Sequence, residues 1–333
     1  MARTVVLHPG ALGDVLLSIP ALRMLRSPED ELVLAAQPRI GKLLASLAVV
    51  SRHVAFDALG LDTLFGADPP PERLHQLLAG ARVVSWFGSG DGGFTRRLRA
   101  LAPDAVVAPT APPGGRKVAP TVWQHLVASV GALSPAAASE GVCREAIRVA
   151  PAIVAEGRRA LTDTGWNGAR PLVMLHPGAG GATKRWAVEG FAETAETLVD
   201  SFGVDLVVHE GPADHDAVAA LCARLRLPAL HLADPSLEAL AGAMHHAALW
   251  IGNDSGVTHL AAATGTPTLA LFTPANLAWR PWARAACVQV VSMGAPSRVN
   301  VDAVVAEAGA LLRAPEGRKI APEGRAVGAR GHR

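Results

Sequence analysis

The chain has 333 residues, 50% of them hydrophobic and 18% charged, and carries a formal net charge of +2. At roughly 150 residues per domain the length suits two domains, and so apolar a chain can fill their cores, which excludes intrinsic disorder. The near-neutral balance gives no strong field for nucleic acid or an anionic membrane surface.

Read from the N-terminus, Arg3 and the apolar run after it superficially resemble a secretory leader. Gly10, Gly13 and Asp14 interrupt that run, so the segment reads as strand, loop and helix. Short apolar strands then alternate with amphipathic helices. In the first half the strands are 4–10, 31–36, 81–87 and 104–109, with helices over 14–26, 40–50, 71–80 and 94–101. In the second half the strands are 171–178, 204–211, 228–233, 248–253 and 266–274, with helices over 188–202, 214–226, 236–247 and 256–264. That rhythm implies parallel sheets covered on both faces, and the uninterrupted runs VVL, LVML and LVV agree with burial on both sides. The uncharged stretches 118–139 and 255–279 contain Pro, Gln, His, Asn and Thr, and neither reads as a membrane span.

One internal repeat organises the rest. Leu7-His8-Pro9-Gly10-Ala11 returns as Leu175-His176-Pro177-Gly178-Ala179, half the chain away. Each copy ends an apolar strand and opens a glycine-containing turn, as expected for two doubly wound domains. We assign residues 1–150 to the first, 151–313 to the second, and 314–333 to a disordered basic tail that repeats APEGR without apolar periodicity. The three cysteines, Cys143, Cys222 and Cys287, share no close spacing, so neither a disulfide framework nor a cysteine zinc site is expected.

Ligands of open parallel sheets sit beyond the carboxyl ends of strands, so the loops there are the candidates. In HPGALGD, Asp14 reads either as a helix cap or as a carboxylate serving as general base. In HPGAGGATKRW, the small residues around Gly178 and Thr183 allow close backbone approach, and Lys184 and Arg185 follow. Arg outnumbers Lys 27 to 4, and Lys184 is the only Lys between 118 and 318, which marks it as a compact phosphate-binding cation over the alternative of a solvated basic turn. In WIGNDSGVTH, the start of a helix at Ser255-Gly256 offers free N–H groups to an anion. Asp254 or Ser255 would cap that helix or hold a ligand hydroxyl, and His259, taken alone, reads as a packed core histidine. Gly88-Ser89-Gly90-Asp91-Gly92-Gly93 matches G-x-G-x-x-G, but no acid ends the next strand, so it reads as a loop facing the cleft. Asp214-His215-Asp216 mimics a metal-binding pair yet opens a helix, so Asp214 reads as an N-cap.

Together these loops resemble glycosyltransferase family 9, the lipopolysaccharide heptosyltransferases. The matching segments are GALGDVLLSIPALRML, LHPGAGGATKRWAVEGFAE, VVHEGPADHD, PSLEALAGAMHHAALWIGNDSGVTHLAAATGTP and LALFTP. The resemblance implies a GT-B fold, two Rossmann-like domains facing across a cleft. It implies inverting, metal-independent transfer from a nucleotide-diphospho-sugar, typically ADP-heptose, to a lipid-linked glycan acceptor such as lipopolysaccharide core, with no cofactor. On this likeness Asp14 matches the family's catalytic carboxylate and Lys184 its diphosphate-binding lysine. Asp254, Ser255, Gly256 and His259 match its donor-binding turn, and Asp214 falls near a ribose-binding acid. Arg185, Gly178 and Thr183 belong to the donor loop, while Gly13, Ser89 and Asp91 fall on the acceptor side. Ser85-Trp86-Phe87-Gly88-Ser89 replaces the family's usual Gln-Gly element there. The expected protein is a cytoplasmic monomer meeting the inner membrane peripherally, without nucleic acid. A GT-B nucleotide-sugar epimerase and a non-catalytic nucleotide-sugar binder are the alternatives; a dinucleotide oxidoreductase is disfavoured by the failed fingerprint.

Overall fold

The computed structural model describes residues 2–113, 119–133, 144–294 and 297–314. The segment assigned to the basic tail lies outside them except for Ala314. The described chain forms two parallel sheets flanked by helices, a GT-B arrangement. The first sheet takes β1 (Arg3–Leu7), β2 (Glu31–Ala36), β3 (Arg52–Ala55), β4 (Ala81–Ser85) and β5 (Val106–Val107), in the order β3-β2-β1-β4-β5. The second takes β6 (Leu172–His176), β7 (Asp205–Glu210), β8 (Leu230–Ala233), β9 (Ala247–Asn253), β10 (Thr268–Phe272) and β11 (Ala286–Val290), in the order β11-β10-β9-β6-β7-β8. Every pairing among these strands is parallel. Strands β1, β6 and β10 are buried almost throughout, so their runs of Val, Leu and Phe are apolar on both faces.

In both sheets the first strand in sequence lies mid-sheet, and the strand order reverses beside it. The reversal opens a crevice between β1 and β4 in one sheet and between β6 and β9 in the other, the place where doubly wound sheets accept ligands. The two copies of HPGA leave β1 and β6, so the repeat delivers one loop to each crevice.

The helix expected over 14–26 is two helices, α1 (Leu12–Leu17) and α2 (Ile19–Leu25). Pro20, four residues beyond Leu16, has no N–H to give the Leu16 carbonyl, and the chain breaks at Ser18. Trp282 Nε1–H donates to that carbonyl at 2.8 Å, tying the second half to the first. The apolar cluster around α1 and α2 accordingly runs on into Trp282, Leu260 and Trp250.

The remaining helices are α3 (Pro38–Ser46), α4 (Glu72–Leu78), α5 (Gly92–Leu101), α6 (Val122–Val130), α7 (Pro151–Asp163), α8 (Val188–Phe202), α9 (His215–Arg224), α10 (Leu237–His245), α11 (Gly256–Ala263) and α12 (Arg298–Arg313). Of these, α6, α7 and α12 are absent from the sequence expectation, as are strands β3 and β11. The segment that opens the second assigned domain is α7, which lies against α10 with backbones touching. A Cβ on Gly157 would stand 1.9 Å from the Gly242 carbonyl carbon, so both positions require glycine for so close a crossing. Strand β5 is two residues where six were expected. Among the described residues, no helix is long and apolar enough to cross a membrane.

Candidate active site

The β1 loop places Asp14 in the first turn of α1, where the N-cap is Ala11 and no side chain caps the helix. The capping role open to Asp14 is therefore not taken. Its half-buried carboxylate lines a cavity of about 490 Å³, shared by the loops after β1 and β4, residues Pro109–Ala111, and Trp279 from the second half. The glycine-rich loop after β4 faces this cleft through Gly88, Ser89 and Gly90. Asp91 does not join them; its Oδ1 caps α5 by accepting the Phe94 N–H at 2.7 Å. Two contacts hold the β1 loop from behind. The buried His8 Nδ1 accepts the Gly10 N–H at 3.2 Å, and Gln37 Nε2 donates to the carbonyls of Pro9 and Gly10 at 3.3 and 3.4 Å. Burial lowers the His8 pKa to about 4, so the ring is neutral near pH 7.

The second crevice carries the cation. Lys184 leaves a short 3-10 turn, Ala182–Lys184, and its Nζ lies 2.8 Å from Asp254 Oδ2 in the loop after β9. Asn276 Nδ2 donates to the same oxygen at 3.0 Å, while His259 Nε2 stands 3.7 Å from Oδ1. Burial alone would raise the Asp254 pKa, but hydrogen bonding and charge from His259 and then Lys184 outweigh it and hold the carboxyl below its usual range. His259 is buried, as the packed-core reading required, and at the same time faces this carboxylate. Ser255 caps α11, its Oγ accepting the Thr258 N–H at 3.3 Å. Asp254 thus makes an ion pair where the sequence left open a cap or a ligand contact.

Asn253, which sequence reasoning passed over, stitches these loops together. Its Nδ2 donates to the Pro177 carbonyl at 2.8 Å and its Oδ1 accepts the Trp186 N–H at 3.0 Å, with the side chain fully buried. An amide has both the donor and the acceptor for this task, a signal already present in the residue before Asp254.

Asp214 stands at the N-cap position of α9 but makes no capping bond, which corrects its sequence reading. Its Oδ2 instead accepts the Gly211 N–H at 3.2 Å and lies 4.0 Å from His176 Nε2. A Cβ on Gly178 would come within 2.0 Å of Asp214 Oδ1, so the glycine of the second HPGA copy admits this carboxylate. The repeated histidines therefore differ in use: His8 bonds its own loop, whereas His176 Nδ1 meets His209 Nδ1 at 3.1 Å beneath the crevice. Burial lowers the pKa of both His176 and His209; at His176 the Asp214 charge opposes the shift, whereas at His209 the neighbouring His176 and His231 add to it. Arg185 turns back toward the Ala179 carbonyl at 3.5 Å, and Thr183 is exposed on the same turn.

The two crevices meet at Gly13 and Gly256. A Cβ on Gly256 would stand 3.1 Å from the Gly13 nitrogen, and one on Gly13 would stand 3.3 Å from His259 Cδ2. Gly13, expected on the acceptor side, is thus in contact with the expected donor turn. A continuous path runs from Asp14 through Gly13 to His259, Asp254 and Lys184. Among the described residues, no three His, Cys, Asp or Glu side chains converge as a metal set.

The chain is similar to known proteins in sequence and in fold. The model of glycosyltransferase family 9 (heptosyltransferase) matches residues 115–304, more than half of the chain. A lipopolysaccharide heptosyltransferase 2 from Salmonella typhimurium is 32% identical over 136 residues, covering 38% of this chain and 39% of that protein. The chain spans less than half the length of the curated relatives it matches. A glycosyl transferase family 9 structure from Veillonella parvula superposes with a TM-score of 0.71 at 19% identity, covering 94% of this chain and 97% of the other. The ADP-heptose LPS heptosyltransferase II of Escherichia coli gives 0.67 at 20% identity, covering 94% and 98%; both are similarities of fold.

Proposed function

The chain belongs to glycosyltransferase family 9 (heptosyltransferase), and from that premise we propose that it moves a heptose from ADP-heptose to a hydroxyl of a lipid-linked glycan, such as lipopolysaccharide core, with inversion and without a metal ion. The observation that carries the reading is the meeting of the two switch-point loops: Asp14 stands on one side of the Gly13–Gly256 contact and Lys184 on the other.

In this mechanism Asp14 accepts the proton of the acceptor hydroxyl as that oxygen attacks the anomeric carbon of the donor. The bond from the anomeric carbon to the diphosphate oxygen breaks on the opposite face, and the nucleoside diphosphate departs with the electron pair. In this reading Lys184 and the N–H groups at the start of α11 stabilise that developing charge. The ammonium has three N–H donors, so it can keep Asp254 while reaching a phosphate oxygen. In this reading Asp214, beside Gly178, accepts hydrogen bonds from the donor ribose. Closure of the halves about the cavity excludes the water that would otherwise hydrolyse the donor. The acceptor's lipid would bring the chain to the cytoplasmic face of the inner membrane as a peripheral monomer.

The test incubates the purified protein with ADP-heptose and core oligosaccharides, with and without a chelator. The expected product is heavier by one heptosyl residue, has an inverted anomeric centre by NMR, and forms at the same rate with the chelator present. No transfer from any nucleotide-heptose, or retention at the anomeric carbon, overturns the assignment.

A further inference from the structure

We infer that His209 is a positioning residue for the donor side: it fixes the tautomer of His176, so that one oxygen of Asp214 is held by the protein and the other is left to the ligand. This rests on the reading of Asp214 as the acid that receives the ribose hydroxyls. His176 ends β6, and His209 stands beside it on β7, one step beyond the Leu175–Val208 pair. Both rings are buried, and both lie against Trp250 of β9, with ring centroids 5.9 and 5.8 Å from it. Packed this way, neither ring turns freely, and the polar nitrogens they bury require partners.

The two Nδ1 atoms are 3.1 Å apart, a gap that takes one proton. Two protons would collide and none would set lone pair against lone pair, so one ring donates and the other accepts. Burial keeps both rings neutral near pH 7. The Asp214 charge opposes that shift at His176 and Arg185 adds to it, while His176 and His231 add to it at His209. A neutral imidazole has a single N–H, so the choice made in the gap decides what His176 shows at Nε2. That Nε2 faces Asp214 Oδ2 at 4.0 Å, beyond hydrogen-bond length, yet near enough for the carboxylate to favour an N–H over a lone pair. His209 Nδ1–H is therefore the donor, His176 Nδ1 the acceptor, and His176 Nε2–H faces the carboxylate. Asp214 Oδ2, which also accepts the Gly211 N–H at 3.2 Å, is the oxygen engaged by the protein. Asp214 Oδ1 occupies the space beside Gly178 where a Cβ would stand, and so is presented at the donor loop.

The experiment has two arms on the full chain. Nitrogen NMR of the imidazoles in isotope-labelled protein reads the tautomers directly and needs no variant. The expected spectrum shows His209 protonated at Nδ1 and His176 at Nε2; the reverse pattern overturns the inference. The second arm compares calorimetric affinities for ADP and for dideoxy-ADP, which lacks the ribose hydroxyls. The unmodified chain should prefer ADP by about tenfold or more, the scale of a hydrogen bond to a charged group. His209→Leu removes the donor and should shrink that preference to about threefold or less while leaving dideoxy-ADP affinity unchanged. His209→Asn, whose Nδ2–H can stand where Nδ1–H stood, should restore it. A preference that survives His209→Leu, or an equal loss for both nucleotides, overturns the positioning role. If the unmodified chain does not discriminate at all, Asp214 is not the ribose acid and the positioning role falls with that reading. The spectrum then still decides the proton arrangement by itself.

Discussion

Lys184 Nζ lies 2.8 Å from Asp254 Oδ2, so an ion pair spans the switch point of the second sheet and joins the loop after β6 to the loop after β9. The pair presets the position of a scarce ammonium, since the buried Asp254 carboxylate is itself held by Asn276. Lys184→Ala should weaken nucleoside diphosphate binding by about 10- to 100-fold, the usual scale for losing a charge-assisted hydrogen bond. Asp254→Asn should weaken it through the same ammonium. In a calorimetric double-mutant cycle the combined variant should then be little worse than Lys184→Ala alone. Additive losses would show that Asp254 contacts the ligand independently.

Gly178 faces Asp214 with no room for a methyl group, the nearest carboxylate oxygen being 2.0 Å from where a Cβ would stand. Gly178→Ala should therefore displace Asp214 and cost about 1–3 kcal/mol of stability. The Michaelis constant for the nucleotide sugar should rise as well. A variant with wild-type melting and donor affinity would show that the loop yields freely.

The crossing of α7 and α10 makes a purely structural prediction. At Gly242 an added Cβ would stand 2.0 Å from the Ile153 carbonyl oxygen. Alanine gains up to about 1 kcal/mol of helix propensity over glycine, but forcing these backbones apart should cost more than that. The apparent melting temperature of Gly242→Ala should fall, and an increase would contradict the contact.

Acid should destabilise the fold through its buried histidines. The His8 pKa is lowered from 6.5 to about 4 by burial, so between those values the unfolded chain binds the extra proton. Stability then rises with pH across that window and is lost as pH falls from 6.5 toward 4, by up to roughly 3 kcal/mol for this one group. His176 and His209 are lowered in the same direction and add to the slope. Urea titrations from pH 4 to pH 7 should show the slope, and His8→Gln should flatten it. An unchanged slope in that variant would remove His8 as a source.

Much of this site was legible in the residues, because a repeated strand-end motif and a rare lysine are strong local signals. His8-Pro9-Gly10 and His176-Pro177-Gly178 do leave the central strands at the two switch points. What escaped depends on contacts distant in sequence. Strand β3 is half-buried throughout and lacks the apolar run that marked its neighbours. Helix α7 opens at a proline and carries a glycine needed by α10, two features that mask a helix in the local sequence. The small size of Gly178 was legible, but that it makes room for Asp214 was not, because the two lie 36 positions apart and meet only in the folded chain.

The central claim is that Asp14 removes the acceptor proton while the second half holds the donor, and Asp14→Asn tests it most directly. With transfer rate and nucleoside diphosphate affinity measured on the same preparation, the account predicts a fall in rate of about 10²- to 10⁴-fold at unchanged affinity. Near wild-type transfer by Asp14→Asn would contradict it.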